Sequence, residues 1–386
     1  MRKIYLDHAA GTPLDPRVLE AMLPYLKEDF GNPSSLHDFG QTAKKAVDEA
    51  RARVAGLIGA SPEEIIFTAN GSEANNLAIK GIVAAGKGKH IIVSAIEHHS
   101  LMNAAKFLEK SGFALTYLSA DKSGLVNPES VREAIRPDTI LVSIMHANNE
   151  IGTIEPISEI AKVTQEKGIL LHTDAVSTAG TIPVNVKELG VDLLSIAGNM
   201  FYGPKGVGAL YVRKGVRIIP LIHGGIQERG IRAGTENIPA IVGFGRAAEI
   251  AQASMEEENK RVVRLRDKLI DGLLSRMNNV YLNGHRSLRL PGNVNISVEF
   301  IEGESMLLFL NMQGIYVSSG SSCTSHALKA SHVLVAIGVE PVLAQGSLLF
   351  SLGRENSQED MDYVLENLPP IVERLRQMSP LYNKGN

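Results

Sequence analysis

The chain of 386 residues has a single cysteine, Cys323, and no tryptophan. One thiol excludes an intramolecular disulfide and any zinc site built on several thiolates, so Cys323 acts alone or with another chain. No two of the eleven histidines stand four apart, the spacing that sets two zinc ligands on one helix face. A metal held by the chain's own residues is therefore not expected. Charge of one sign is also missing: 39 Lys and Arg face 42 Asp and Glu, for a net charge of -3. That balance gives no electrostatic case for a nucleic-acid partner or an anionic membrane. No apolar run approaches the roughly eighteen residues that a membrane span needs. The opening "MRKIYLDHAAG" reaches charge too early for a secretory signal, so a cytoplasmic location is expected. Repeats, low-complexity tracts and Pro-rich linkers are absent as well.

What is present is an alternation. Between about residues 60 and 215 the β-rich runs "EIIFTA", "HIIVSA", "TILVSIM", "GILLHTD", "DLLSIAG" and "GALYVR" alternate with helix-like segments. Several are apolar on both faces, as strands of a buried parallel sheet must be, so the fold class is α/β. Met255 to Met277 reads as a long charged helix leaving this domain. Beyond it "GNVNISVEF", "GIYVSSG" and "GSLLFSLGR" supply strands, and residues 358 to 377 a closing helix. The expected division is a large α/β domain over 15–255 and a smaller α+β domain formed by 1–14 with 256–386, with a cleft between them.

In an open α/β sheet, functional groups gather beyond the carboxyl ends of the strands. Four loops there stand out. In "TANGSEANN", Gly71 and Ser72 follow a strand and open a helix, offering free N–H groups and a hydroxyl to a phosphate, although an ordinary helix cap also accounts for them. "IEHHS" presents His98 and His99, "MHANNEIGT" presents Asn149, and "LHTDAVS" presents Asp174. A ring to stack on a planar cofactor, an amide for a phenolic oxygen and a carboxylate for a pyridinium nitrogen stand here in that order.

With these loops in place, the chain resembles the NifS/IscS-like cysteine desulfurases of the fold-type I, class V aminotransferase group. The motifs "YLDHAAGTP", "FGNPSSLH", "GSEANNLAI", "HANNEIGT", "GPKGVGAL", "RAGTENIPAIVGFG", "SSGSSCTS", "SHVL" and "SLGR" follow the family order nearly end to end. The resemblance implies a mostly parallel seven-stranded sheet and pyridoxal phosphate as cofactor. Gly71, Ser72 and Thr235 would hold the phosphate, Thr235 from the second subunit of a homodimer. His98 would stack on the ring, Asn149 would meet its phenolic oxygen and Asp174 its nitrogen. Arg354, with Asn32, would grip the substrate carboxylate, and Cys323 would accept sulfur as a persulfide and deliver it to an iron–sulfur scaffold protein.

The pattern breaks in "SIAGNMFYGPKG". Where the family has Ser-x-His-Lys, this chain has Ala197-Gly198-Asn199-Met200, and Ser177 replaces a glutamine three residues after the ring aspartate. The missing lysine is the residue that ties the cofactor to the protein and carries protons during C–S cleavage; a thioether does neither. Four altered positions around one cofactor read as a change of role rather than a single knockout. Lys205 belongs to the matched "GPKG" motif and is not expected to substitute.

Three functions follow. In the first, the protein docks an IscU-like scaffold and offers Cys323 as a ligand to a shared [2Fe-2S] cluster or as a sulfur carrier; pyridoxal phosphate is absent, or bound weakly and noncovalently, and desulfurase activity is lost. In the second, it is an active cysteine desulfurase with noncovalent pyridoxal phosphate. In the third, it is a structural subunit whose thiol is incidental.

Overall fold

The computed structural model describes residues 2–319 and 330–382. Its centre is a seven-stranded sheet. In spatial order the strands are Ile65–Thr68, Gly208–Val212, Leu193–Ala197, Leu170–Asp174, Thr139–Ser143, His90–Ser94 and Ala114–Leu118. All run parallel except Gly208–Val212, which is antiparallel to both neighbours. The six expected runs each form a strand. They are buried along nearly their whole length because helices cover both faces of the sheet. The edge strand Ala114–Leu118 was not anticipated. Four of its five residues are only half-buried, and "ALTYL" shows neither clean alternation nor a continuous apolar run.

The helix expected over 255–277 extends from Ile238 to Arg276, 39 residues capped by Asn237, whose side chain accepts from the Ala240 N–H. Its first turns are rich in glycine, and the reason is close packing. A Cβ on Gly243 would lie 2.6 Å from Met22 Sδ, and one on Gly245 2.6 Å from Ala50 Cα. The helix thus lies almost backbone to backbone on helices Pro16–Lys27 and Asp38–Leu57.

The same helix joins two apolar cores. One takes its residues up to Ala251. The other begins on this helix at Val262 and combines Ile4 and Leu6 with the strands Asn293–Val298 and Ser347–Ser351 and the closing helix Gln358–Met378. Three strands, Ser347–Ser351, Asn293–Val298 and Val280–Leu282 in that order, form an antiparallel sheet over this second core. Asn293, held by Arg289, and Asn295 tie it to the large sheet's loops by donating to the backbone carbonyls of Asn149 and Glu150. No helix among the described residues is long and apolar enough to cross a membrane.

Candidate active site

The cleft lies where the topology puts it, beyond the carboxyl ends of the parallel strands. Each strand ends just before a lining residue: Thr68 before Gly71 and Ser72, Ser94 before His98, Ser143 before Asn149, and Ala197 before Asn199 and Met200. Asp174 is itself the last residue of its strand. The cavity is about 450 Å³, a size that suits a cofactor. It brings together Gly71, Ser72, His98, Asn149, Asp174, Ser177, Ala197, Asn199 and Met200. A smaller cavity of about 110 Å³ shares Asn149, Ser177 and Met200 with it and adds Arg354. Asn32 and Thr235 are exposed and line neither cavity of their own chain. Cys323 lies outside the described residues, but Ser318 and Ser319 before that segment and His332 and Val333 after it all line the larger cavity.

Two residues absent from the sequence reading connect the ring-holding pair. Asn75, one turn into helix Gly71–Ala85, donates from Nδ2 to Asp174 Oδ2 at 2.6 Å and to Ser100 Oγ at 2.9 Å. Ser100 in turn lies 2.8 Å from His98 Nδ1. That nitrogen also accepts the Ser100 backbone N–H, which leaves the proton of the neutral imidazole on Nε2. The imidazole and the carboxylate are therefore fixed by one hydrogen-bonded chain, His98–Ser100–Asn75–Asp174. Asp174 Oδ1 accepts from the Val176 N–H. Burial nevertheless raises the Asp174 pKa, opposed by the nearby His98. A buried carboxylate short of positive charge is a site for a cation.

The glycine at the helix entrance is dictated by space. A Cβ on Gly71 would meet Val176 Cγ2 at 2.6 Å. Asn70 caps the helix through the Glu73 N–H, so the N–H groups of the first turn point toward the cleft with the positive end of the helix dipole. Opposite this turn, Ala197 offers no side-chain donor. Asn199 Nδ2 lies 3.5 Å from Met200 Sδ. Met200 ends the short 3-10 turn Gly198–Met200, and no lysine occurs among the described residues lining either cavity. Lys205 faces a separate surface groove beside Lys3, Tyr5 and Glu355.

Glu97 also lines the cleft. Its Oε1 accepts from Ser94 Oγ at 2.6 Å and the Met145 N–H at 2.8 Å, whereas Oε2 has no partner, and burial pushes its pKa up to about 8. His99, which the sequence placed beside His98, packs against His332 with ring centroids 4.6 Å apart and planes tilted by 41°.

The pyridoxal phosphate implied by the sequence can be tested against these residues. The ring end fits: a buried carboxylate lacking a cation, an imidazole fixed beside it, and an orphaned Asn75 Oδ1. The phosphate end retains the helix entrance and Ser72. The aldehyde end meets Met200, and among the described lining residues no lysine amine stands there.

Known proteins share this architecture. The aminotransferase class-V family pattern matches residues 4–364. The chain is 56% identical to the "Cysteine desulfurase IscS" of Dictyoglomus turgidum over 98% of its own length and 97% of that protein's. It is 55% identical to the protein of the same name from Methanosarcina thermophila over 99% of its own length and 95% of that protein's. Among solved structures, a NifS-like protein superposes with a TM-score of 0.91 at 39% identity, covering 97% of this chain and 100% of that one. A NifS-like protein from Rickettsia africae superposes with a TM-score of 0.88 at 34% identity, covering 96% and 100%. By its sequence, its sheet and its cleft, the chain belongs to the aminotransferase class-V family.

Proposed function

We propose that this chain is a cysteine desulfurase-type protein that holds pyridoxal phosphate without a covalent bond. It takes L-cysteine as sulfur source and passes sulfur through Cys323 toward iron–sulfur cluster assembly. The observation that carries the reading is the His98–Ser100–Asn75–Asp174 chain standing intact in a cleft with no lysine among its described lining residues. Asp174 would pair with the ring nitrogen, His98 would cover the ring face, Asn149 would meet the phenolic oxygen, and Gly71 and Ser72 would hold the phosphate. When bound, the cofactor supplies an electron sink that lowers the cost of breaking the carbon–sulfur bond.

Loss of a general acid–base group costs roughly a hundredfold to ten-thousandfold in rate, so turnover is slowed rather than abolished. The relatives named above are cysteine desulfurases, which supports retained cofactor use over the lost activity read from Met200 alone. In the transfer, the thiol of Cys323 takes the sulfur atom of L-cysteine, giving L-alanine and a persulfide. The residues flanking the Cys323 segment line the cleft on both sides, which suits this role. Equilibrium dialysis against pyridoxal phosphate tests the reading: one cofactor per chain, retained by native protein and released on denaturation.

A second reading is favoured by the absence of a lysine amine beside Met200 among the described residues. Here a homodimer docks the scaffold protein and Cys323 completes the ligands of a shared [2Fe-2S] cluster, a soft thiolate suiting iron. It predicts cluster retention by the complex whether or not cofactor is bound.

A further inference from the structure

Arg354, which the sequence assigns to the substrate carboxylate, is already engaged by two carboxylates of the protein. Its Nη1 donates to Asp15 Oδ2 at 2.7 Å, and its Nε lies 3.0 Å from Glu258 Oε1. The guanidinium carbon lies over the Tyr202 ring, 4.2 Å from its centroid, while the Tyr202 hydroxyl accepts the Arg354 backbone N–H. Its position is thereby set.

The two carboxylates are not equivalent. Asp15 is fixed. It caps helix Pro16–Lys27 by accepting the Arg17 N–H at 2.9 Å, and Arg17 grips it from Nε at 3.0 Å and Nη2 at 2.7 Å. Its side chain is 5% exposed, and the hydrogen bonds from Arg17 lower its pKa to about 2. Glu258 is loosely held. Its side chain is 29% exposed, and although it is in ion-pair range, Arg354 Nε makes no aligned hydrogen bond to it and is left buried without a partner. Glu258 sits on the long helix between the last residue of the first core, Ala251, and the first helix residue of the second, Val262.

Charge decides the consequence. Arg354 and Arg17 are balanced by Asp15 and Glu258, so an incoming carboxylate would leave an excess negative charge. A guanidinium presents Nε and Nη2 as one bidentate fork, and Glu258 stands at its Nε corner. It lines the smaller cavity together with Arg354 and Met200, in the space beside the cofactor cleft.

We infer that Glu258 is a specificity-determining residue: it occupies the place of the amino-acid carboxylate on Arg354 and yields it only to a ligand that replaces that charge. The inference rests on the proposed binding of an amino acid in this cleft. Glu258 thus sets amino-acid affinity by competition and discriminates against neutral or cationic amines, which cannot replace it. Asp15 and Tyr202 hold the guanidinium still while the exchange occurs.

The test is calorimetric titration of the intact protein, with and without pyridoxal phosphate, using L-alanine and its decarboxylated counterpart ethylamine. Glu258→Gln keeps the shape and removes the competing charge. The inference expects L-alanine to bind about tenfold tighter to the variant, a typical gain when one close charge competitor is removed, with ethylamine unchanged. Asp15→Asn is expected to weaken L-alanine instead, because Arg354 loses its anchor. Unchanged or weaker L-alanine binding to Glu258→Gln would overturn the inference. So would equal tightening for both ligands, or no L-alanine binding to parent or variant in either cofactor state. Cofactor absorbance, recorded in the same samples, reports on the parent reading separately. If pyridoxal phosphate fails to bind while Glu258→Gln still tightens L-alanine, the cofactor assignment falls and the Glu258 assignment stands.

Discussion

Replacing Glu97 by glutamine should change the pH dependence of stability more than the structure. Glu97 is fully buried in the cleft, with Ser94 and Met145 donating to one oxygen and nothing meeting the other. Its pKa rises from 4.5 to about 8 because burial disfavours the charged form. The sign follows from proton counting. Between pH 4.5 and about 8 the unfolded chain has released this proton and the folded chain retains it. Stability in that window therefore falls as pH rises, by at most ~1.4 kcal/mol per pH unit, and the contribution is level below and above it. Glu150 and Glu155, raised by burial to about 7 and about 8, add slopes of the same sign. Glu97→Gln removes one of the three. The amide oxygen still accepts from Ser94 and Met145, while the amide N–H₂ takes the unpartnered place at a cost of ~1–3 kcal/mol. That cost is constant with pH, so the slope is the diagnostic. Urea unfolding of cofactor-free protein at pH 5, 6, 7 and 8 is the assay. The variant should gain on the parent by about 1 kcal/mol per unit, starting at or below parent stability at pH 5 and exceeding it by pH 8. Parallel curves would refute the reasoning, since they would mean that Glu97 is ionised in the folded cleft.

Two substitutions probe the proposed chemistry. Met200→Lys should raise the rate of alanine formation from L-cysteine by about a hundredfold or less, the lower end of what a general acid–base group contributes, because Ser177, Ala197 and Asn199 still leave the phosphate side short of donors; full family-level activity would show that these three positions matter little. Cys323→Ala should leave cofactor binding unchanged while abolishing transfer of sulfur to a scaffold protein and, under the second reading, lowering iron and sulfide per complex; a variant as competent as the parent in both respects would remove Cys323 from the function.

The parts of this molecule that could be read from its sequence are those where local chemistry and burial agree. "GILLHTD" reads as a buried strand ending in a functional aspartate, and Leu170–Asp174 is one. Asp174, His98, Asn149, Gly71 and Ser72 converge on one cleft because all stand at or just beyond the carboxyl ends of strands that point the same way. The first half of the long helix was hidden because "IPAIVGFG" owes its helicity to contact with Met22 and Ala50, which no local propensity reports. Asn75 and Ser100 were hidden for a similar reason: each sits in an ordinary helical turn, and their bridge spans 25 positions. Glu258 stands in "MEEENKR", which reads as a solvated charged face. Only the fold brings it to Arg354.

The central claim is noncovalent cofactor in a working cleft, and mass spectrometry after borohydride reduction tests it most directly. Protein equilibrated with pyridoxal phosphate, desalted and reduced should keep its unmodified mass after denaturation, although the native sample carried about one cofactor per chain and formed alanine from L-cysteine. A stable pyridoxyl adduct on Lys205 or any other lysine, accompanied by the same alanine formation, would contradict the account.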